Sequence, residues 1–572
     1  MKQFQKYGVA AAVAAVSATA IAQTTERSDQ NLGDAAIVPY YTTTGGKVTG
    51  VHIINTTEAT QVVKFRMRRG SDSRDSMDFN IIMSPKDEWV TSIQTNASPS
   101  DGKGGVKLIT DDTTCTAPIF DADGTLAEIP ATYAEGAEEG YIEIIGMGQP
   151  TTEKAAIAVS AKHSKGEPKD CAGVEYNFLR VADKDAGDIT VQGVHHSELT
   201  NQVSSAGATG LTNYTDTPDR ALKVSWFIRD ADGGLEVGGN AVHIEGFANG
   251  AMMTNQEQLV FNTDKLVEYD PFNFELPNLN VGSYPAKANG SFTRTANHST
   301  SSSDLFNRVR DVMGSEAIHN EWSDKATDGS TVNTDWVITL PGQYLSEDPF
   351  CVIYEGYPVD GKSCSALTVP LSDTEIPLYL SKKGTAKFTL YDREETVLVD
   401  TKAATPPGLS FSPANGTETE EDSQYLPHEV NVLAFDRDGT SDGVLESEYK
   451  IAIKLPEAAA DTSTGWMSFD IEAAPKSAKI AAGTGNQFVV TGNGTTDAQA
   501  QGVGVPVFNQ SSSTAYGAFS EETGPTVVLG MAVWKREFAN NAAAAYGRAV
   551  EHSYTTSSGI AQVGRVANAI TP

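Results

Sequence analysis

Three acidic turns carry the pattern Asp-x-Asp-Gly: Asp121 to Gly124, Asp230 to Gly233 and Asp436 to Gly439. Carboxylates at alternate positions are the chemistry of a hard divalent cation, which gathers oxygen ligands from a flexible loop. The third turn is the richest. Asp436, Asp438, Thr440 and Asp442 alternate, Gly443 follows, and Glu446 stands close behind. From Asp438 onward the spacing matches the front half of a calcium loop, but Tyr449 stands where such a loop ends in glutamate. The expected calcium ligands are therefore Asp436, Asp438, Thr440, Asp442 and Glu446, with Asp230 and Asp232 as a second set. The plain alternative is that Asp and Gly are ordinary hairpin residues.

Other chemistries are weaker. Gly356, Gly361, Lys362 and Ser363 fit a phosphate-binding loop, but that loop needs a strand before it and a helix after it. The segment instead lies between Cys351 and Cys364, and the residues after it read as a strand ending at Pro370. A hairpin loop closed by a disulfide is the better account. Neither HExxH nor GxSxG occurs. His195 and His196 are the one adjacent histidine pair, and Asp392, Glu394 and Glu395 stand out little in so acidic a chain. No enzyme activity is expected.

The N-terminus sets the compartment. Lys2 and Lys6 precede an apolar run from Gly8 to Thr19, and Ala20-Ile21-Ala22 is a small-x-small cleavage site. This is the pattern of a secretory signal peptide over residues 1–22, too short to span a bilayer. No later segment is apolar and long enough to cross as a helix, and no anchor is expected at the C-terminus. Four cysteines remain, Cys115, Cys171, Cys351 and Cys364. An oxidising compartment suggests two disulfides. Three pairings are open, and proximity favours Cys115 with Cys171 and Cys351 with Cys364.

Losing Lys2 and Lys6 takes the formal charge from −32 to −34. Such a chain does not bind nucleic acid through a general basic surface. Its acidity suits solubility in a salty medium, binding of divalent cations, or both.

The elements that would position these residues are short strands. Val63, Phe65 and Met67 alternate with Lys64, Arg66 and Arg68; Val224, Trp226 and Ile228 alternate with Lys223 and Ser225. Period two predicts one buried and one solvated face. The fold expected is mainly β: several immunoglobulin-like β-sandwich domains in tandem, with a few short helices. Helices are expected over 303–314 and 536–551. Provisional domains are 23–215, 216–345, 346–470 and 471–572.

Several phrases together resemble a family. Ala36 to Tyr41, Ile54 to Thr57, Met77 to Asn80, Asn320 to Trp322, Thr334 to Thr339, Tyr391 to Glu395, Leu426 to Leu433 and Tyr546 to Ala549 follow one another along the mature chain. They resemble the S-layer proteins of marine gammaproteobacteria such as Pseudoalteromonas. The resemblance implies a structural protein that tiles with itself into a lattice on the outer-membrane surface, with lipopolysaccharide as a candidate anchor, and that sheds into biofilm matrix. It implies no catalytic residues. Calcium or magnesium bridging between acidic subunits is the expected aid to assembly. The rival readings are a secreted carbohydrate-binding adhesin or matrix protein and, behind it, a secreted hydrolase.

Overall fold

The computed structural model describes most residues from 25 to 252, with its longest break there at 191–213, and separate segments between 277 and 555. The chain is mainly β. Ten strands open it: β1 (Glu26–Arg27), β2 (Ala35–Thr42), β3 (Val48–Asn55), β4 (Gln61–Arg69), β5 (Asp75–Met83), β6 (Glu88–Thr95), β7 (Lys103–Ile109), β8 (Cys115–Ala117), β9 (Leu126–Pro130) and β10 (Glu139–Pro150). Four more complete the same sheets: β11 (Tyr214–Thr215), β12 (Leu222–Asp230), β13 (Leu235–Asn240) and β14 (Val242–Glu245). One sheet runs β1-β14-β2-β10-β4-β5-β8, with β11 beside β10; the other runs β13-β12-β3-β6-β7-β9.

Alternation explains the core between them. Phe65 and Met67 from β4, Met77, Phe79 and Ile81 from β5, and Trp89 and Ile93 from β6 are all buried in one cluster. Phe65 and Phe79 stack at 5.0 Å, and Trp89 meets both edge-on at 5.5 and 5.7 Å. Such geometry adds to what burial alone gives.

Two short helices, α1 (Ala156–Ala161) and α2 (Cys171–Phe178), cover the far side of the first sheet at one end. Sequence periodicity gave no sign of either. Asp170 starts α2 by accepting the Gly173 N–H at 2.9 Å. Cys171, the first residue of α2, is bonded to Cys115 on β8, with Cα atoms 5.0 Å apart. This is one of the two pairings favoured by proximity; Cys351 and Cys364 lie outside the described residues.

The sheets run across the expected edge at 215, because β12 pairs with β3 from Leu222 opposite Asn55 to Arg229 opposite Val48. The later strands behave alike: β15 (Ala317–Ser323), β16 (Thr331–Thr339), β17 (Thr385–Asp392), β18 (Val397–Thr401), β19 (Asn431–Phe435), β20 (Lys450–Ile453), β21 (Thr464–Ala473), β22 (Leu529–Glu537), β23 (Tyr546–Glu551) and β24 (Ser553–Thr555). They form a sheet β18-β17-β21-β15-β24 and a sheet β20-β19-β16-β22-β23. Val337, Leu529, Met531 and Val533 belong to the same buried cluster as Phe65 and Trp89. The two ends of the described chain also meet. Arg27 pairs with Glu551 and lies 4.2 Å over the Tyr554 ring.

The helix expected over 536–551 is corrected. Those residues end β22 and form β23, with Trp534 opposite Arg548 and Arg536 opposite Tyr546. Alanines favoured helix locally, but pairing with a buried neighbour strand overrides a weak propensity. Near 303–314, Val309, Val312 and Met313 are helical, Val309 and Met313 are buried, and a two-residue strand starts at Gly314. Leu305 lies outside the described residues. Among those residues, no helix is long and apolar enough to cross a membrane.

Phe227 on β12 points away from the core and sits between two glycines, Gly50 on β3 and Gly238 on β13. A Cβ on Gly50 would collide with its ring. Gly50→Val should therefore lower stability by about 1–3 kcal/mol, the range for overpacking. Gly50→Val combined with Phe227→Ala should recover most of that, as read in denaturant melts.

Candidate functional site: a buried charged face

Among the described residues, a dense group of buried charges lies on the face of β4 that alternation predicts to be solvated. Lys64, Arg66 and Arg68 are all fully buried, as are Asp78 on β5 and Glu143 on β10. This corrects the expectation of a wet face. The physical reason is a second layer, seen where Pro277 and Leu279 are buried.

Register builds the site. β4 lies between β10 and β5, so Arg66 stands directly opposite Glu143 on one side and Asp78 on the other. Its Nη2 is 4.0 Å from Asp78 Oδ2, and its Nε is 3.9 Å from Glu143 Oε2. Arg68 Nε lies 3.4 Å from Glu143 Oε1, and Lys64 Nζ touches Asp78 Oδ1. Arg66 Nη2 also donates to the Pro277 carbonyl at 3.2 Å, which ties the face to its cover. One strand away, Tyr40 donates to Glu139 Oε2 at 2.6 Å. Burial, and then the Glu139 carboxylate, raise the Tyr40 phenol well above its ordinary value.

Charges taken from water cost several kcal/mol each, and only close, well-placed partners offset that. The face therefore holds β10, β4 and β5 in a single register. A slip of one residue would turn these groups into the aromatic core.

Of the sequence-predicted cation ligands only Asp230 lies among the described residues, where no group of three or more His, Cys, Asp or Glu is placed to hold a metal. Asp230 ends β12 opposite Leu235, the first residue of β13. Asp232, Asp436, Asp438, Thr440, Asp442 and Glu446 lie outside the described residues. The strands on either side of the last five, β19 and β20, pair in parallel. Between those strands, the Val444 and Leu445 N–H groups donate to Asp335 Oδ2 on β16 at 2.6 and 2.7 Å. Residues 356–363, His195, His196, Glu394 and Glu395 also lie outside the described residues, as does the side chain of Asp392.

No family model matches this chain, and neither a curated protein nor a solved structure does.

One cluster was not foreseen. Ser84 Oγ and Asp87 Oδ2 lie 3.1 and 3.3 Å from the same nitrogen of His163, Nδ1. Acyl transfer needs the serine and the carboxylate on opposite nitrogens of the base. Here Asp87 instead accepts the Ser84 N–H and hydroxyl at 2.9 and 3.1 Å, locking a turn beside the disulfide-bonded end. Burial raises the Asp87 carboxyl, and the nearby His163 works against that shift.

Two histidines are fixed as neutral rings. His552 lies between β23 and β24, where the chain passes from one sheet to another. It donates from Nε2 to the Val337 carbonyl at 2.8 Å, accepts from Asn320 Nδ2 at Nδ1, and packs 4.5 Å from Trp336. His243 Nε2 accepts the Val224 N–H at 2.8 Å. Burial holds His552 down to about 3 and His243 down to about 4.

The unfolded chain protonates both near 6.5, before the folded chain does. Their contribution is complete above that pH and is lost as pH falls from 6.5 toward 4 and then 3. Melting temperature should drop over this window, with His243 contributing up to about 3 kcal/mol and His552 up to about 5 kcal/mol, and His552→Gln should flatten the profile. For the charged face, Glu143→Gln leaves Arg66 and Arg68 without their shared carboxylate. It should cost about 3–5 kcal/mol in chemical denaturation, far more than an exposed pair such as Lys86 with Glu58.

Proposed function

We propose that this is a structural protein of the cell surface, whose copies tile into a two-dimensional lattice on the outer membrane with the aid of divalent cations and contribute to biofilm matrix. The observation that carries the reading is where the charge goes. Five fully buried ionic side chains, Lys64, Arg66, Arg68, Asp78 and Glu143, tie strands and a covering layer together instead of lining an open cleft. A subunit in an extended sheet must transmit load without yielding, and internal ties of this kind suit that task. The leader over residues 1–22, the ordered family phrases and the acidic composition agree with it.

An open sheet needs heterologous contacts in two directions. Subunits carrying this much negative charge repel, and cations shared between carboxylates offset the repulsion. Electron microscopy of native cell envelopes should show a periodic array that disperses on chelation with EDTA and re-forms with calcium or magnesium. An array indifferent to EDTA removes the cations from the reading, and envelopes without any array remove the lattice.

A secreted carbohydrate-binding adhesin is the second reading. It is favoured by exposed aromatic rings: Trp466 and Tyr546 are 38% and 48% exposed, and Arg548 lies 4.0 Å over Trp534 on the hairpin that carries Tyr546. Stacking of sugars on such rings would give retention on polysaccharide columns without a surface array.

A further inference from the structure

We propose that Lys64 and Asp78 become joined through their side chains by an amide bond, a covalent tie between β4 and β5. Three observations converge on this pair. Both residues are fully buried, so the groups meet away from water. Lys64 Nζ lies directly against Asp78 Oδ1. The other carboxylate oxygen, Oδ2, faces Arg66 Nη2 at 4.0 Å. The two oxygens therefore have different neighbours, as a condensation requires.

The step balances without any co-reactant. Away from water the charged forms are disfavoured, and a proton passes from the Lys64 ammonium to the Asp78 carboxylate. The neutral amine is then a nucleophile held against its electrophile, which replaces an encounter in solution by a fixed approach. The nitrogen lone pair forms a bond to Cγ, while the Arg66 guanidinium stabilises the charge that develops on Oδ2. The bond from Cγ to Oδ1 breaks, and that oxygen leaves as water with the second proton from nitrogen. Ammonium and carboxylate have become amide and water, with nothing oxidised or reduced. The product also removes one ion pair from the interior and the desolvation cost that goes with it.

Asn80 offers a competing acceptor. It stands directly opposite Lys64, is fully buried, and neither polar atom of its amide has a hydrogen-bond partner among the described residues. Attack there would release ammonia in place of water.

Mass spectrometry of the full mature chain, reduced to open its disulfides, decides the matter. The expected mass is below that of the linear sequence by one water. Fragmentation of a digest should find a branched peptide joining the segments that contain Lys64 and Asp78. Lys64→Arg should carry the full linear mass. Should that variant fail to fold, the wild-type mass and branch still decide. An unbranched chain of full mass overturns the proposal. A branch at Asn80 with loss of ammonia overturns the assignment to Asp78. Neither result depends on whether the protein forms a lattice.

Discussion

The row Asp78, Arg66, Glu143 is the constraint on which the rest of the structure leans. Three strands present one ionic group each at the same height, on a face with no water to solvate them. Such a row is satisfied in one register only. Once β10, β4 and β5 are fixed by it, the opposite face of the same strands places Phe65, Phe79 and Met67 against Trp89 and Ile93. The aromatic core and the charged face are two consequences of a single alternation, and neither can move without the other.

The same constraint bears on how strands distant in sequence come to share one buried cluster. A charged face can be buried only if something covers it, and the cover comes from distant parts of the sequence. Pro277 accepts from Arg66, Thr339 donates to the Pro39 carbonyl, and Asp335 holds the main chain at Val444 and Leu445. Strands of the first 250 residues and strands beyond residue 330 share one buried cluster as a result.

How much of this was legible in the sequence follows from the range of each signal. The β class and the alternation of β4 and β12 were readable, because period two is local. The first disulfide was within reach, because two cysteines in one stretch of the chain have few other partners. Which face of β4 is wet was not readable. Alternation says that two faces differ, and nothing in residues 61 to 69 says that residues 277 and 279 will cover the polar one. The strand at 546–551 was misread for a related reason: the alanine run just before it, Ala542 to Ala545, suits a helix, and only the neighbour strand makes extension favourable. The acidic segment at 436–446 was read from its local spacing, and the parallel pairing of the flanking strands β19 and β20 is a long-range fact that local spacing does not carry.

An interior tied by charge has a consequence for how the molecule resists change. Hydrophobic burial is non-directional and tolerates repacking, whereas buried polar groups tolerate no shift away from the partners that satisfy them. The first sheet therefore combines a forgiving core with an unforgiving outer face, and its edge strand β8 is further held to α2 through Cys115 and Cys171. The neutral His552 plays the matching part at the far end of the chain, where one ring spans the junction of two sheets through Val337 and Asn320. Rigidity at both ends thus rests on buried polar groups whose partners lie far away in sequence. A chain built this way yields cooperatively, since releasing any one tie exposes a polar group that only the whole fold can satisfy.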